Sequence, residues 1–187
     1  MPRVDLNNSS SIVTGGASGI GEACARQLAA LGSKVVIADL NEERGTQIAS
    51  EIGGVFVRCD VTKVEDVTAA VEAAVALAPL RACVNSAGIG APGRTINREN
   101  EPLPLDKFAA VININLVGTF NMLSQAAAAM AKTEPMDADG SRGAIVNLAS
   151  CAAFDGQIGQ ASYSASKAGV AGMTLPIARD LSVSGIR

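Results

Sequence analysis

Short β-branched runs of five or six residues alternate along this chain with longer Ala- and Leu-rich stretches, and that alternation decides the fold class. Residues 10–14, 34–39, 55–59, 81–85 and 143–148 read as strands, with helices expected at 20–31, 42–52 and 64–77. The apolar runs are nearly continuous, as in strands buried on both faces. Such alternation means parallel βαβ units and a doubly wound, three-layer α/β/α sheet of the Rossmann type. Gly32 and Gly53-Gly54 are placed to stop the first two helices, and Thr62 to cap the third. Farther on, 91–104 is a polar loop rich in Pro and Gly, 105–131 is one long or broken apolar helix, and 132–142 is a second polar loop. A last helix is expected from near Tyr163 to about Ser182, where Pro176 can kink it. Five strands are counted where such a sheet commonly has six. We therefore expect residues 1–187 to form a single dinucleotide-binding domain that is C-terminally incomplete, truncated after the fifth strand and the helix that follows it.

Composition narrows the chemistry. Hydrophobic residues are 48% and charged ones 18%, enough to build a core. The net charge of -3 and 3% aromatics offer neither an electrostatic footprint nor stacking platforms for nucleic acid. Histidine is absent, which excludes hydrolases with an imidazole base and leaves no zinc set, so no metal site is expected. Cys24, Cys59, Cys83 and Cys151 lack any C-x-x-C spacing and read as free thiols in a reducing compartment. The polar stretch 1–11 has no signal-peptide core, and no apolar run approaches membrane-spanning length. The expectation is a cytoplasmic protein without a membrane partner.

Thr14-Gly15-Gly16-Ala17-Ser18-Gly19-Ile20-Gly21 lies between the first strand and the first helix. Glycines there permit a tight turn and close approach to a pyrophosphate, which the following helix N-terminus attracts. A glycine-rich turn by itself requires no ligand, and the spacing is not G-x-G-x-x-G. Gly15, Ser18, Gly19, Ile20 and Gly21 are the candidate phosphate-side residues. Asp39 ends the second strand, where a carboxylate bonds the ribose hydroxyls of NAD and repels the 2′-phosphate of NADP. An Asp there can also cap a helix, a role open to Asn41. Asp60 and the Val61 backbone can hold adenine, although Asp60 can equally cap the next helix. Asn85, Ser86, Ala87 and Gly88 leave room for the nicotinamide half.

Tyr163 is the single tyrosine, and Lys167 follows four residues later on the same helix face. Oxidising an alcohol by hydride transfer needs a base for the hydroxyl proton. A nearby ammonium favours the phenolate of a tyrosine, whose ordinary pKa is about 10. The lysine can also hold the nicotinamide ribose. Ser150, at the end of the fifth strand, can bond the substrate oxygen as charge develops on it. Asn115 lies inside the long helix, where it can open the helix so that a carbonyl holds a water near Lys167. It can equally be an ordinary polar contact, and Asn113 faces another way.

Together Thr14 to Gly21, Asp60, Asn85 to Gly88, Asn115, Ser150, Tyr163 and Lys167 resemble the short-chain dehydrogenase/reductase family over residues 10–187. Ser86 departs from the Asn more common at its place. The resemblance implies a catalytic tetrad of Asn115, Ser150, Tyr163 and Lys167, with Tyr163 and Lys167 also touching the cofactor, which would be NAD. Within the family, the run from Ser150 to Tyr163, Gly118 to Asn121, Glu134-Pro135 ahead of Arg142-Gly143, and Gly172 to Leu181 look like the type 2 3-hydroxyacyl-CoA dehydrogenase group, some of which also oxidise hydroxysteroids. That likeness implies a small-molecule substrate, an acyl-CoA or similar hydroxy compound of fatty acid metabolism, with Ser150, Gln157, Gln160 and Tyr163 on the substrate side and the loop 91–104 closing over it. It also implies a homotetramer. The alternatives are a 3-oxoacyl-carrier-protein reductase, a role that usually goes with NADPH, and a non-catalytic NAD-binding scaffold.

Overall fold

The computed structural model describes residues 6–187, so the first residues of the polar N-terminal stretch lie outside it. The strands are β1 (Ser10–Thr14), β2 (Lys34–Asp39), β3 (Val55–Arg58), β4 (Leu80–Asn85) and β5 (Ala144–Asn147). The helices are α1 (Gly19–Ala30), α2 (Glu42–Ile52), α3 (Val64–Leu77), α4 (Leu105–Ile112), α5 (Gly118–Ala131) and α6 (Ala161–Ser182). The strands form one parallel sheet in the order β3-β2-β1-β4-β5, the doubly wound topology the alternation called for.

Side chains alternate between the two faces of each strand. Val13, Val35 and Ile37 pack with Ala25 of α1 and Ile48 of α2 on one face. Ile12, Val36 and Cys83 pack with Val67 and Ala70 of α3 and Met122 of α5 on the other. The central strands are thus sealed on both sides, while Val55 and Val146 at the sheet margins stay more than a third exposed. Reversal of strand order between β1 and β4 opens a crevice above the carboxyl ends of these two strands, where ligands bind in sheets of this kind.

Asn41 caps α2 through a hydrogen bond from the Arg44 N–H, and Gly53 ends it at a φ of 65°, a conformation glycine reaches without a Cβ penalty. Thr62 does not cap α3. Lys63 takes the cap position without a side-chain bond, and the Thr62 hydroxyl turns back to Asp60 at 2.7 Å. The long stretch at 105–131 is broken: α4 and α5 are joined by a π-helical turn, Asn113–Val117, that carries Asn115. α6 starts two residues before Tyr163 and continues through Pro176. Beyond it the chain returns to the sheet: Gly143 and Ile186 form a parallel bridge, and Arg187 N–H donates to the Gly143 carbonyl at 3.0 Å. The position beside β5 expected to be vacant is therefore entered by the last residues.

Candidate active site

The first turn of α1 begins with a bond from Glu22 N–H to the Ser18 carbonyl, 3.0 Å long. The N–H groups of Gly19 and Ile20, which line the crevice, precede that bond and have no intrahelical acceptor. Glycine is needed here for space. A Cβ at Gly21 would stand 2.1 Å from the Gly15 carbonyl oxygen, and one at Gly15 2.9 Å from Ala87 Cα. The turn, the helix start and the β4 loop are therefore in backbone-to-backbone contact. Thr14 reinforces this, since its hydroxyl accepts the N–H groups of Ser86 and Ala87 at 3.1 Å each.

This crevice has a volume of about 530 Å³. Gly15, Ser18, Gly19 and Ile20 line it at the start of α1, Asp39, Asp60 and Val61 form its outer end after β2 and β3, and Ala87, Gly88, Tyr163 and Lys167 its inner end. Asp39 accepts the Ala17 N–H at 3.0 Å and the Asn41 N–H at 2.9 Å, which fixes the carboxylate at the rim. Helix capping is left to Asn41, so Asp39 is not the cap. Asp60 holds a local turn, accepting from the Thr62 N–H and hydroxyl, and its carboxyl is held below the usual range first by the hydroxyl bond. The fit suits a dinucleotide: unpaired helix N–H groups for a pyrophosphate, a fixed carboxylate for a ribose diol, and a small-residue inner end.

Two expected cofactor residues stand apart from the wall. Gly21 is buried behind the turn. Asn85 is 3% exposed and donates to Asn147 Oδ1 at 2.9 Å, so it ties β4 to β5 instead of facing the crevice.

Ser150, Gln157 and Gln160 line a neighbouring cleft of about 420 Å³. Tyr163 and Gly90 line both clefts, so the tyrosine stands at their junction. Gln160 Oε1 accepts the Gln157 N–H at 2.9 Å, and Ser150 Oγ accepts the Ala152 N–H at 3.2 Å. Lys167, one turn along α6, is 6% exposed, and its Nζ lies 5.8 Å from the Tyr163 ring centre and donates to the Leu148 carbonyl at 2.6 Å. Burial pushes its ammonium pKa below the ordinary lysine range. Asn115 is fully buried under the inner end, whereas Asn113 is exposed, as the two-residue offset predicts. The Asn115 side chain clasps Ile89, accepting its N–H at 2.8 Å and donating to its carbonyl at 2.9 Å.

The pattern of the short chain dehydrogenase family matches residues 10–187. The chain belongs to the short-chain dehydrogenase family. It is a dehydrogenase, an oxidoreductase of that family. It is 53% identical over 186 residues to the 3-hydroxyacyl-CoA dehydrogenase type-2 of Drosophila melanogaster, covering 97% of this chain and 72% of that protein. The crystal structure of the 3-hydroxyacyl-CoA dehydrogenase type-2 from Mycobacterium avium superposes with a TM-score of 0.93 at 46% identity, over 96% of this chain and 72% of that one. A 7α-hydroxysteroid dehydrogenase complexed with NADH and 7-oxo glycochenodeoxycholic acid superposes with a TM-score of 0.86 at 28% identity, over 99% and 70% of the respective chains.

Sequence reading did not single out Gly90, although it is shared by both clefts. Nor did it find the third cavity, about 580 Å³, beside the loop 91–104. Arg94, Arg98 and Lys107 line that cavity, and none of their side chains forms a hydrogen bond or ion pair among the described residues. The only signal for them was a scatter of charges that periodicity cannot group. Among the described residues, no helix is long and apolar enough to cross a membrane.

Proposed function

We propose that this protein is an NAD-dependent dehydrogenase of one catalytic domain that interconverts a secondary alcohol and its ketone, with (S)-3-hydroxyacyl-CoA and 3-oxoacyl-CoA as the substrate pair. The observation that carries this reading is the position of Tyr163, which lines both the cleft of the candidate cofactor residues and the cleft of Ser150, Gln157 and Gln160. When bound, a nicotinamide nucleotide supplies the hydride acceptor for oxidation and the donor for reduction. Tyr163 takes the hydroxyl proton in oxidation and returns it in reduction. Lys167 provides the positive charge beside the phenol and a donor for the ribose. Ser150 donates to the substrate oxygen. Asp39, already fixed by two N–H groups, receives the ribose hydroxyls and disfavours a 2′-phosphate, which sets NAD apart from the NADPH of a carrier-protein reductase.

A CoA ester is supported by Arg94, Arg98 and Lys107, three cations without an ion pair among the described residues, which outnumber the carboxylates of Glu99 and Glu101 in the same cavity. Gly93 of the same loop donates its N–H to the Gly159 carbonyl at 2.8 Å, between the two glutamines of the substrate cleft. The loop thus links the charged cavity to the substrate cleft, and the pantetheine arm of a CoA would run from the acyl end to phosphates held at that cavity. Val117, Phe120 and Leu175 are 50%, 50% and 58% exposed on the long helical segments, which supports helix pairing in a homotetramer.

The test joins two variants. Tyr163→Phe is expected to lower turnover about 10²–10⁴-fold while NADH binding is retained. Replacing Arg94, Arg98 and Lys107 together by Ala is expected to raise KM for a 3-oxoacyl-CoA about 10-fold or more, at roughly 0.5 kcal/mol or more per exposed charge. KM for the same acyl group on a short uncharged thioester should stay unchanged. Unchanged turnover in the first variant ends the catalytic reading, and equal KM shifts for both thioesters end the CoA reading.

A further inference from the structure

We propose that Ser166 is a positioning residue of the active site, the group that holds Asn115, and through it the Gly88-Ile89 floor of the cofactor cleft, in place. The inference rests on the reading of that cleft as a nicotinamide nucleotide site.

Ser166 is fully buried and lies between Tyr163 and Lys167 in sequence. Its hydroxyl donates to the Tyr163 carbonyl at 2.7 Å, which orients the proton along α6 and leaves the oxygen lone pairs free to accept. Asn115 Nδ2 uses one of them at 3.1 Å. The amide of Asn115 then has every hydrogen-bonding group engaged: one N–H on the Ile89 carbonyl, the other on Ser166, and its oxygen on the Ile89 N–H. At zero exposure no water can take the place of any partner. Removing the Ser166 oxygen strands one amide N–H in the interior, where an unpaired donor is most costly.

A second observation points the same way. Gly169 lies three residues after Ser166, on the same face of α6. A Cβ there would come 2.7 Å from Leu116 Cδ2, so α6 and the π turn are in direct contact at this face. Ser166 and Gly169 thus form a seat, one polar and one flat, on which the π turn rests. Above the seat there is little slack: a Cβ on Gly88 would lie 3.1 Å from Asn115 Oδ1 and 3.7 Å from Lys167 Nζ. Displacement of the Asn115 amide must therefore pass to Gly88 and Ile89, both of which line the cofactor cleft. The substrate cleft meets this chain of bonds only at the main-chain carbonyl of Tyr163, and the side chains of Ser150, Gln157 and Gln160 take no part in it.

The test is a double-mutant cycle of Ser166→Ala and Asn115→Ala, read by NADH affinity. The chain has no tryptophan, so the emission of NADH can be followed without overlap. S166A is expected to weaken NADH binding by about 5- to 20-fold, the scale of one stranded buried donor. KM for the 3-oxo substrate should stay within about twofold, and the double variant should bind NADH as N115A does, because the serine acts through the asparagine. S166C, which keeps only a weak acceptor, should lose less than S166A but still at least about threefold, and it replaces S166A in the cycle if the alanine variant does not fold. Losses that add in the double variant, or a substrate KM that rises in step with the loss of NADH affinity, overturn the positioning role. If the unaltered protein binds neither NADH nor NADPH, the functional reading falls and this inference with it. If it binds NADH and the cycle is additive, only this inference falls.

Discussion

Replacing Asp39 by Asn should turn the protein toward NADPH, and the size of the turn follows from what surrounds that side chain. The carboxylate oxygens accept two different N–H groups, from Ala17 at 3.0 Å and Asn41 at 2.9 Å. Among the described residues no cation forms an ion pair with it. Arg44 Nη2 is committed to both oxygens of Glu22 at 2.8 and 3.0 Å and its Nη1 to Gln47, while Arg58, in register across β3, forms no ion pair with it. A 2′-phosphate placed beside Asp39 meets an uncompensated charge. Two unit charges 4 Å apart repel by about 1 kcal/mol in water and about 4 kcal/mol near a protein surface. Asn removes that repulsion. It also forfeits one of the two N–H bonds, since its side chain has a single acceptor oxygen, and weakens the ribose contact of NADH, for a loss of about 1 kcal/mol. The NADPH-to-NADH affinity ratio of D39N should therefore rise about 30- to 5000-fold over the unaltered protein, and less as salt screens the charge. Titration of both reduced nucleotides at two ionic strengths measures it. A ratio that moves by less than about threefold would refute the electrostatic argument, and a protein that already prefers NADPH would refute the assignment of Asp39.

Two further outcomes follow from packing and burial. Gly21→Ala places a Cβ 2.1 Å from a backbone oxygen that no side-chain rotation can relieve, so it should cost about 2–3 kcal/mol and lower Tm by about 4–12 °C in a chain of this size, with NADH affinity lost alongside; thermal unfolding within 2 °C of the parent, on the order of experimental error, would show that the turn can yield. Burial pushes the thiols of Cys59 and Cys83 up to about 12, so at pH 8 only about 10⁻⁴ of each is thiolate. In the native protein a thiol reagent should modify exposed Cys151 first and reach Cys59 and Cys83 only after unfolding, and early labelling of either buried thiol by mass spectrometry would contradict this.

The sheet was legible because strand burial is a local property of sequence. Runs such as 35–38 within β2 are apolar throughout, since both faces are covered, and the bounds of the five strands agree with expectation to within a residue. The crevice was legible for a related reason: Gly15, Gly19 and Gly21 sit at fixed offsets from β1, and Asp39 at the end of β2. What failed to show was whatever depends on partners distant in the chain. The π turn at Asn113–Val117 is invisible to helix periodicity because it is held by Asn115 reaching Ile89 and, 51 residues away, Ser166. Asn85 looked like part of the cofactor wall and instead spans to Asn147, a partner 62 positions later. The capping of α3 was misjudged because Asp60 competes for the Thr62 hydroxyl, a choice between two short polar bonds that composition does not settle.

With Tyr163 the single tyrosine of a chain that has no tryptophan, the near-ultraviolet spectrum of the protein belongs almost wholly to one side chain at the meeting of two clefts. Ionisation of that phenol can be followed directly by absorbance, with no labelling, as a difference against the same ligands without protein while they are added to either side.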